Sequence, residues 1–228
     1  MTRSHCLLLM AVLLFAGCRT RPSDHTTAAV DSSATPEAAL PPGDAVGSAV
    51  DLRAWTAQAE ALSGDTARLA RDFEGAVAEM RRHALALVPD LAARCEVALD
   101  LPGAGSISVE ALSETERFVT LACDGGAVLG NQTLIPVYVR LGDAPAARVL
   151  PVPAFREGAL VQDRTISGLM ETHGREVTVT NRCCAGSQGT TTHYRIEPGG
   201  ALTLVRVEEW TMDAEDAPPQ VAVVYPKP

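Results

Sequence analysis

The sequence predicts an α+β domain, in which an N-terminal helical hairpin is followed by an antiparallel β-sheet or a small β-sandwich. Between residues 51 and 89 apolar residues recur at helical spacing, and from residue 99 onward they alternate with polar residues in short runs. These runs follow one another at intervals of about 8 to 15 residues, which leaves no room for the crossover helices that parallel strands require. We therefore assign residues 51–94 to the helical hairpin and residues 95–228 to an antiparallel β-rich domain.

Composition and charge narrow the class of protein. Only 4% of the 228 residues are aromatic while 46% are hydrophobic, so the core must consist mainly of small aliphatic side chains. The formal net charge of −9 and the lack of a Lys/Arg-rich run argue against a nucleic-acid partner, because phosphate binding requires a cationic surface. No stretch beyond residue 17 approaches the roughly 20 consecutive apolar residues of a spanning helix, which argues against a multi-pass membrane protein.

Residues 1–17 have the organisation of a secretory signal peptide. Arg3 precedes an apolar run at residues 7–15, and two small residues follow it directly before Cys18. The ending LFAGC resembles the lipobox of bacterial lipoproteins, in which the cysteine is lipid-modified and becomes the mature N-terminus. The resemblance implies lipidation at Cys18 and a membrane partner held through that lipid. An ordinary secretory signal followed by an unmodified cysteine is the alternative.

The residues after Cys18 complete this interpretation. Residue 19 is Arg and not Asp, which resembles the outer-membrane sorting of lipoproteins in enteric-type bacteria and implies a protein that faces the periplasm. Residues 18–50 contain four prolines among many Ala, Ser, Thr and Asp residues and have no periodic large apolar positions. This composition is typical of a disordered tether, and a flexible coil of about 32 residues spans roughly 30 Å on average. The predicted localisation is therefore the bacterial cell envelope, with the protein anchored by its lipid.

Two amphipathic helices, joined by one tight turn, form the predicted hairpin. Asp51 can cap the first helix and Gly64 ends it, while Asp65 can cap the second and Pro89 stops it. Their apolar stripes comprise Leu52, Trp55, Ala59 and Leu62 in the first helix and Leu69, Phe73, Ala76, Met80, Ala84 and Leu87 in the second. The basic residues expected at the C-terminal end of the second helix, where cations favour the negative end of its dipole, are Arg81, Arg82 and His83.

Short strands are predicted from the alternating runs. They lie near residues 107–109, 118–121, 134–139, 149–152, 165–170, 177–180, 190–196, 201–207 and 221–225. Two turns are well signalled, at Pro198-Gly199-Gly200 and at His173-Gly174, because glycine adopts positive φ at no steric cost. Pro136, Pro151 and Pro153 cannot donate to a ladder, so we expect them at strand edges or bulges.

The cysteines after Cys18 are candidates for disulfide bonds, which export from the cytoplasm would permit. A bridge between the neighbours Cys183 and Cys184 would be strained, because adjacent α-carbons lie about 3.8 Å apart and bridged ones usually about 4.4 to 6.8 Å. The preferred bridge joins Cys95 to Cys123 and contributes about 3 to 4 kcal/mol in the chain-entropy model. The competing arrangement pairs one or both of these early cysteines with Cys183 or Cys184.

Two glycine-containing cysteine segments lie in the β-rich region. Their positions, together with those of a hairpin that follows, are Cys123, Gly126, Ala127, Cys183, Cys184, Gly186, Gly189, Tyr194, Gly199 and Gly200. On these positions residues 116–207 resemble an uncharacterised family of secreted Gram-negative proteins with a Cys-x-x-Gly-Ala segment and a glycine-rich cysteine turn. The resemblance implies a β-rich periplasmic domain and no known activity.

Motifs for catalysis and for metal binding are not found. The sequence has no C-x-x-C or H-E-x-x-H spacing and no G-x-S-x-G nucleophile elbow, so we assign no catalytic residue, no metal and no cofactor. The adjacent Glu208 and Glu209 point to opposite faces if they lie in a strand, which is wrong for a paired acid and base.

The predicted function is that of a membrane-anchored periplasmic lipoprotein acting as a non-catalytic binding or interaction module of the cell envelope, with an envelope protein as its partner. The alternative is a small envelope enzyme or thiol redox protein that uses Cys183 or Cys184 with His193. In a third interpretation the acidic surface sequesters a cationic partner, and high salt would then weaken the complex.

Overall fold

The computed structural model describes residues 45–46, 50–96, 99–124, 131–183, 187–212 and 218–226. The predicted signal peptide, Cys18, Cys184 and most of the predicted tether lie outside these residues. Within the described ranges no helix is both long enough and apolar enough to cross a bilayer. Apart from the two-residue strand Ala45–Val46, the helices precede the strands, as the α+β prediction requires.

The helical segment contains four helices: α1 (Leu52–Gly64), α2 (Thr66–Arg71), α3 (Phe73–Leu87) and α4 (Leu91–Cys95). The side chain of Asp51 accepts hydrogen bonds from the backbone N–H groups of Arg53 and Ala54 in α1, and that of Asp65 accepts one from the N–H of Arg68 in α2. The predicted stripe of α1 is buried along its whole length. The first helix and both caps are therefore confirmed.

The predicted second helix is divided at Asp72. This residue has φ −145°, outside the helical region, and its side chain accepts a hydrogen bond from the N–H of Gly75 and so caps α3. The interruption turns Phe73 outward, and 51% of its surface is exposed. The prediction of one continuous helix with Phe73 on its buried stripe is wrong, because an aspartate competes for backbone N–H groups and starts a new helix.

The basic cluster of α3 does not lie at its C-terminal end, since the helix continues to Leu87. Arg81 donates from Nε to the carbonyl of Ala104 at 2.8 Å. The ring of His83 stacks on Trp55 with centroids 4.6 Å apart, and its Nε2 donates to the Trp55 carbonyl at 2.7 Å. Trp55 in turn donates from Nε1 to the carbonyl of His83 at 2.9 Å. These contacts join α3 to α1 and to the loop before β2, so Arg81 and His83 do not act as dipole caps.

The other regular elements among the described residues are strands, and all paired strands are antiparallel. They are β1 (Ala45–Val46), β2 (Ile107–Ala111), β3 (Glu116–Ala122), β4 (Gln132–Arg140), β5 (Ala146–Val149), β6 (Val152–Arg156), β7 (Ala159–Asp163), β8 (Ile166–His173), β9 (Glu176–Cys183), β10 (Gln188–Ile196), β11 (Leu202–Thr211) and β12 (Gln220–Tyr225). Strands β6 and β7 form a separate hairpin, and the other ten form one sheet. The antiparallel prediction is confirmed.

Strand β4 is the branch point of the ten-stranded sheet. It pairs with β3 along one side, whereas its other side pairs with β8 at residues 132–134 and with β5 at residues 137–140. Pro136 lies between these two pairings, and its carbonyl accepts from the N–H of Leu150 at 2.9 Å. Pro136 therefore does not lie at a sheet edge, contrary to the sequence prediction. It is tolerated because its missing N–H faces the gap between β5 and β8.

Three other strand assignments change. The predicted strand at residues 149–152 is interrupted, because β5 ends at Val149 and β6 begins at Val152. The sequence did not predict β7, nor β1, which lies in the predicted tether. Pro153 lies in β6, which pairs only with β7, so its expected edge position is confirmed.

Strands β3 and β4 lie between two apolar layers. Their side chains alternate: Val119 and Val137 belong to a core shared with the helices, and Phe118 and Tyr138 belong to a second core. Strands β8 to β11 close that second core with buried residues that include Val177, Ile196 and Leu202, among others. Because both faces of β3 and β4 are covered, these strands have continuous runs of buried residues in place of alternation.

A disulfide joins the helical segment to the sheet. Cys95, the last residue of α4, is bonded to Cys123, which directly follows β3, with their α-carbons 5.4 Å apart. Both cysteines are buried in the core shared by the helices and the sheet. The preferred disulfide is confirmed.

Candidate binding site

The candidate binding site is a groove of about 430 Å³ between the β6–β7 turn and the face of β10, β11 and β12 that continues the second core. We call it the acidic groove. Its lining residues are Phe155, Glu157, Gly158, Thr190, Val207, Glu209, Val223 and Val224. A cavity of this size is at the small end of the range for ligand sites, which favours a single side chain or a small molecule.

One wall of the groove depends on the tight β6–β7 turn. Glu157 and Gly158 both have positive φ, 51° and 83°, as a two-residue hairpin of the primed type requires. An ion pair between Arg156 and Asp163, with Nη2 and Oδ2 2.5 Å apart, joins the two strands of this hairpin. Phe155 holds the hairpin against the sheet by contacting Tyr225, with ring centroids 5.2 Å apart.

The other wall is formed by neighbouring strands of the sheet. Thr190 of β10 is paired directly with Glu209 of β11, and the neighbouring side chain, Val207, is buried in the second core. Val224 of β12 packs against the same core. The groove therefore has an apolar floor that continues the protein interior and a polar rim that opens to solvent.

The rim carries two carboxylates, and both residues are exposed. Among the residues that the structure describes, no Lys, Arg or His nitrogen lies within 4.0 Å of Glu157 or Glu209. Arg156, the chain neighbour of Glu157, pairs with Asp163 and so does not neutralise the rim. The arrangement presents uncompensated negative charge above an apolar surface.

Strand β12 borders the groove and is the last strand of the sheet. It pairs with β11 along one side, and within the described residues no strand pairs with its other side. Within this strand residues 221–223 are exposed. Such an edge offers unpaired backbone N–H and C=O groups to an extended segment of another chain.

His193, a residue of the redox hypothesis, lies on the opposite face of the sheet. Its Nδ1 is 3.4 Å from Oγ1 of Thr178, and its Nε2 is 3.7 Å from Oε2 of Glu208. Arg206 also pairs with Glu208, through Nη2 and Oε1 at 2.5 Å. Glu208 therefore belongs to this ion-pair cluster, while its neighbour Glu209 lines the groove, so the two carboxylates diverge as predicted.

The structure does not bring Cys183 and His193 together. Cys183 is paired with Gln188, five residues before His193 along β10, which corresponds to about 17 Å of strand. His193 is paired with Thr178, and residues an odd number of positions apart, such as Thr178 and Cys183, point to opposite faces. Cys183 is exposed, and Nε2 of Gln188 donates to its sulfur at 3.8 Å. Cys184 lies outside the described residues.

Glu116 is the centre of a polar network that the sequence did not indicate. Its carboxylate accepts hydrogen bonds from the Tyr138 hydroxyl, from Nη2 of Arg175, from the N–H of Gly199 at 3.3 Å and from the Ser113 hydroxyl at 3.1 Å. Hydrogen bonding, above all from Tyr138, lowers the pKa of Glu116 against the opposing effect of its burial. Burial, reinforced by this carboxylate, raises the pKa of Tyr138 to about 12. The network joins β3, β4 and three turns, those of Ser113, Arg175 and Gly199, and has a structural role.

We expect Glu116→Gln to lower the free energy of unfolding by about 1 to 2 kcal/mol at neutral pH, since charged hydrogen bonds are lost. Because the folded-state pKa of Glu116 is lowered, its stabilisation is present above the ordinary glutamate value of about 4.5 and is lost as the pH falls below it. The difference between wild type and variant should therefore shrink from pH 7 to about pH 3.5 in urea unfolding. Glu110→Gln is the control, and a difference that stays constant would contradict this role.

Comparison with known proteins gives no relative. No protein-family model matches the chain, and no curated protein and no solved structure matches it either. Among the described residues no group of three or more His, Cys, Asp and Glu side chains is placed to hold a metal ion. The resemblance to secreted Gram-negative proteins stays a prediction.

Proposed function

We propose that this protein is a lipid-anchored, periplasm-facing lipoprotein of the cell envelope that acts as a non-catalytic binding module. The observation that carries the proposal is the acidic groove beside the free edge of β12. An open groove with unsatisfied charge and an adjoining strand edge with unpaired backbone groups are features of a recognition surface.

The lining of the groove favours recognition over catalysis. None of the described residues that line it is a His, Cys, Ser or Lys, and its one hydroxyl belongs to Thr190, the residue opposite Glu209 on the neighbouring strand. The His193 cluster lies on the other face of the sheet, so it supplies no base to the groove. Among the described lining residues a nucleophile activated by a His or Lys base is therefore not assembled.

The anchor is supported by the LFAGC ending of the signal-like segment. Two or more acyl chains on Cys18 would provide stable membrane attachment. The Cys95–Cys123 disulfide fits an oxidising compartment, where such bonds persist. A tether of roughly 30 Å confines the groove near the membrane and raises its effective concentration toward neighbouring envelope proteins.

One experiment on the full chain tests both halves of the proposal. A photo-crosslinking amino acid replaces Val223, at the groove, in the cells that naturally make the protein, and Leu169, exposed on β8 four strands away from β12, carries the same probe as a control. We expect a crosslinked protein adduct of defined mass, in the membrane fraction, from Val223 and not from Leu169. Cys18→Ser should move the protein to the soluble fraction, because the acyl anchor is lost.

Three outcomes would overturn the proposal. Equal crosslinking from Val223 and Leu169 would show that the groove is not a preferred contact surface. Membrane retention of Cys18→Ser, or an intact mass of the wild type without acyl chains, would remove the lipid anchor. Turnover of a substrate that depends on groove residues would replace the binding module with an enzyme.

A further inference from the structure

We propose that the acidic groove binds an extended, cationic segment of a partner protein, whose Lys or Arg side chain lies between Glu157 and Glu209 while its backbone pairs with β12. This inference rests on the proposed function and specifies the chemistry of the partner. Its three supports are the charge of the groove rim, the apolar floor and the free strand edge.

The charge of the rim selects a cation. Glu157 and Glu209 are exposed carboxylates in one groove, and the described residues provide neither with a basic partner within 4.0 Å. A bound cation would relieve their mutual repulsion. The net charge of −9 adds a long-range attraction that accelerates encounter with a basic partner and disfavours a second copy of this chain.

The apolar floor selects a cation with a hydrocarbon stem. Phe155, Val207 and Val224 line the groove with the carboxylates and are less exposed than Glu157 and Glu209, so an inorganic cation would leave this apolar surface uncovered. Lys and Arg side chains bury their methylene stems along apolar surface while the charged end stays at the rim. The groove of about 430 Å³ therefore suits one such side chain with its immediate neighbours.

The free edge selects an extended backbone. Val223 and Val224 belong both to β12 and to the groove lining, so a segment paired with this strand runs along the groove. Alternate side chains of a strand point to the same face, about 6.8 Å apart, so every second residue of the segment faces the groove. Backbone hydrogen bonds then supply affinity, and the groove supplies the preference for a basic residue.

The test uses the full-length protein in detergent micelles and the peptide SVTVKVTS, amidated at its C-terminus and blocked at its N-terminus by an uncharged dye so that the lysine is its only charge. Binding of the dye-labelled peptide is measured by fluorescence anisotropy, and amide shifts of Gly158, Thr190 and Val224 locate it by NMR. We expect the Glu157→Gln/Glu209→Gln double variant to weaken binding about tenfold, each exposed ion pair contributing a few-fold. Glu171→Gln, which removes an exposed carboxylate on the opposite face of the sheet, should leave the affinity unchanged.

Two further comparisons separate the proposal from its rivals. The peptide SVTVQVTS should bind about as weakly to the wild type as the lysine peptide does to the double variant. Equal loss from Glu171→Gln would indicate unspecific attraction to the acidic surface. An increase in affinity after Arg19→Gln/Arg21→Gln would assign the groove to the chain's own N-terminal segment. Either of the last two results, equal loss from Glu171→Gln or increased affinity after Arg19→Gln/Arg21→Gln, overturns the proposal.

Failure of this inference is distinguishable from failure of the proposed function. If the lysine peptide does not bind while the Val223 crosslink to an envelope protein persists, the groove is a binding site for a partner of another chemistry and only the cationic segment is rejected. If neither the peptide binding nor the Val223 crosslink is observed, both the cationic segment and the binding module are rejected.

Discussion

Gly200→Ala is expected to lower the free energy of unfolding by about 3 kcal/mol. Gly200 has φ +87°, a conformation that costs residues with a Cβ about 1 kcal/mol or more. A Cβ built at this position would also lie 2.3 Å from Cγ of the Tyr138 ring. The ring is buried, and its hydroxyl is tied to Glu116, so it cannot move aside without breaking the Glu116 network. Forcing extra volume into such a site typically costs about 1 to 3 kcal/mol.

Gly199→Ala is the matched control for this prediction. Gly199 has nearly the same backbone conformation, φ +83°, but nothing lies within 4 Å of the Cβ that it would gain. Only the conformational cost of about 1 kcal/mol is therefore expected at this position. Urea unfolding followed by circular dichroism compares the two variants, and equal destabilisation would show that Tyr138 does not restrict Gly200.

This contrast shows what local sequence can predict about a turn. The Pro198-Gly199-Gly200 signal correctly predicts a turn between two strands, because glycine tolerates positive φ. The signal does not indicate that Gly200 packs on Tyr138 or that the N–H of Gly199 donates to Glu116. Those contacts join residues about 60 to 80 positions apart, and only the three-dimensional pairing of strands brings them together.

The helical segment shows where periodicity is insufficient. The stripe that includes Leu69, Phe73 and Ala76 keeps helical spacing across Asp72, so the pattern alone predicts one helix. The structure breaks the helix because the Asp72 side chain satisfies a backbone N–H of α3. Asp72 itself, a residue type favoured at N-caps, was the local signal for a second cap, and the hydrophobic pattern concealed it.

The acidic groove could be predicted only in part. Glu208 and Glu209 were correctly expected to diverge, because side chains alternate along a strand. The opposite wall was missed, since the β6–β7 hairpin has little polar alternation and its Glu157-Gly158 turn is not a common two-residue signal. That this hairpin packs beside Glu209, more than 50 positions away, follows from the fold and not from any local motif.

The Cys95→Ala/Cys123→Ala double variant is expected to lose about 3 to 4 kcal/mol of unfolding free energy. The bridge closes a loop with a sequence separation of 28, for which the chain-entropy model gives about 3.6 kcal/mol. Both sulfurs also fill the core between the helices and the sheet, so their removal adds a small packing cost. The loss is large because native proteins are stable by only about 5 to 15 kcal/mol.

Reduction of the wild type provides the control for this last prediction. Cys95 is 7% exposed and Cys123 is 1% exposed, so dithiothreitol should reduce the bridge slowly in native buffer and quickly in urea. The reduced wild type should then unfold at nearly the same urea concentration as the double variant, because both lack the same cross-link. Wild type and variant with equal urea midpoints under oxidising conditions would contradict a stabilising bridge.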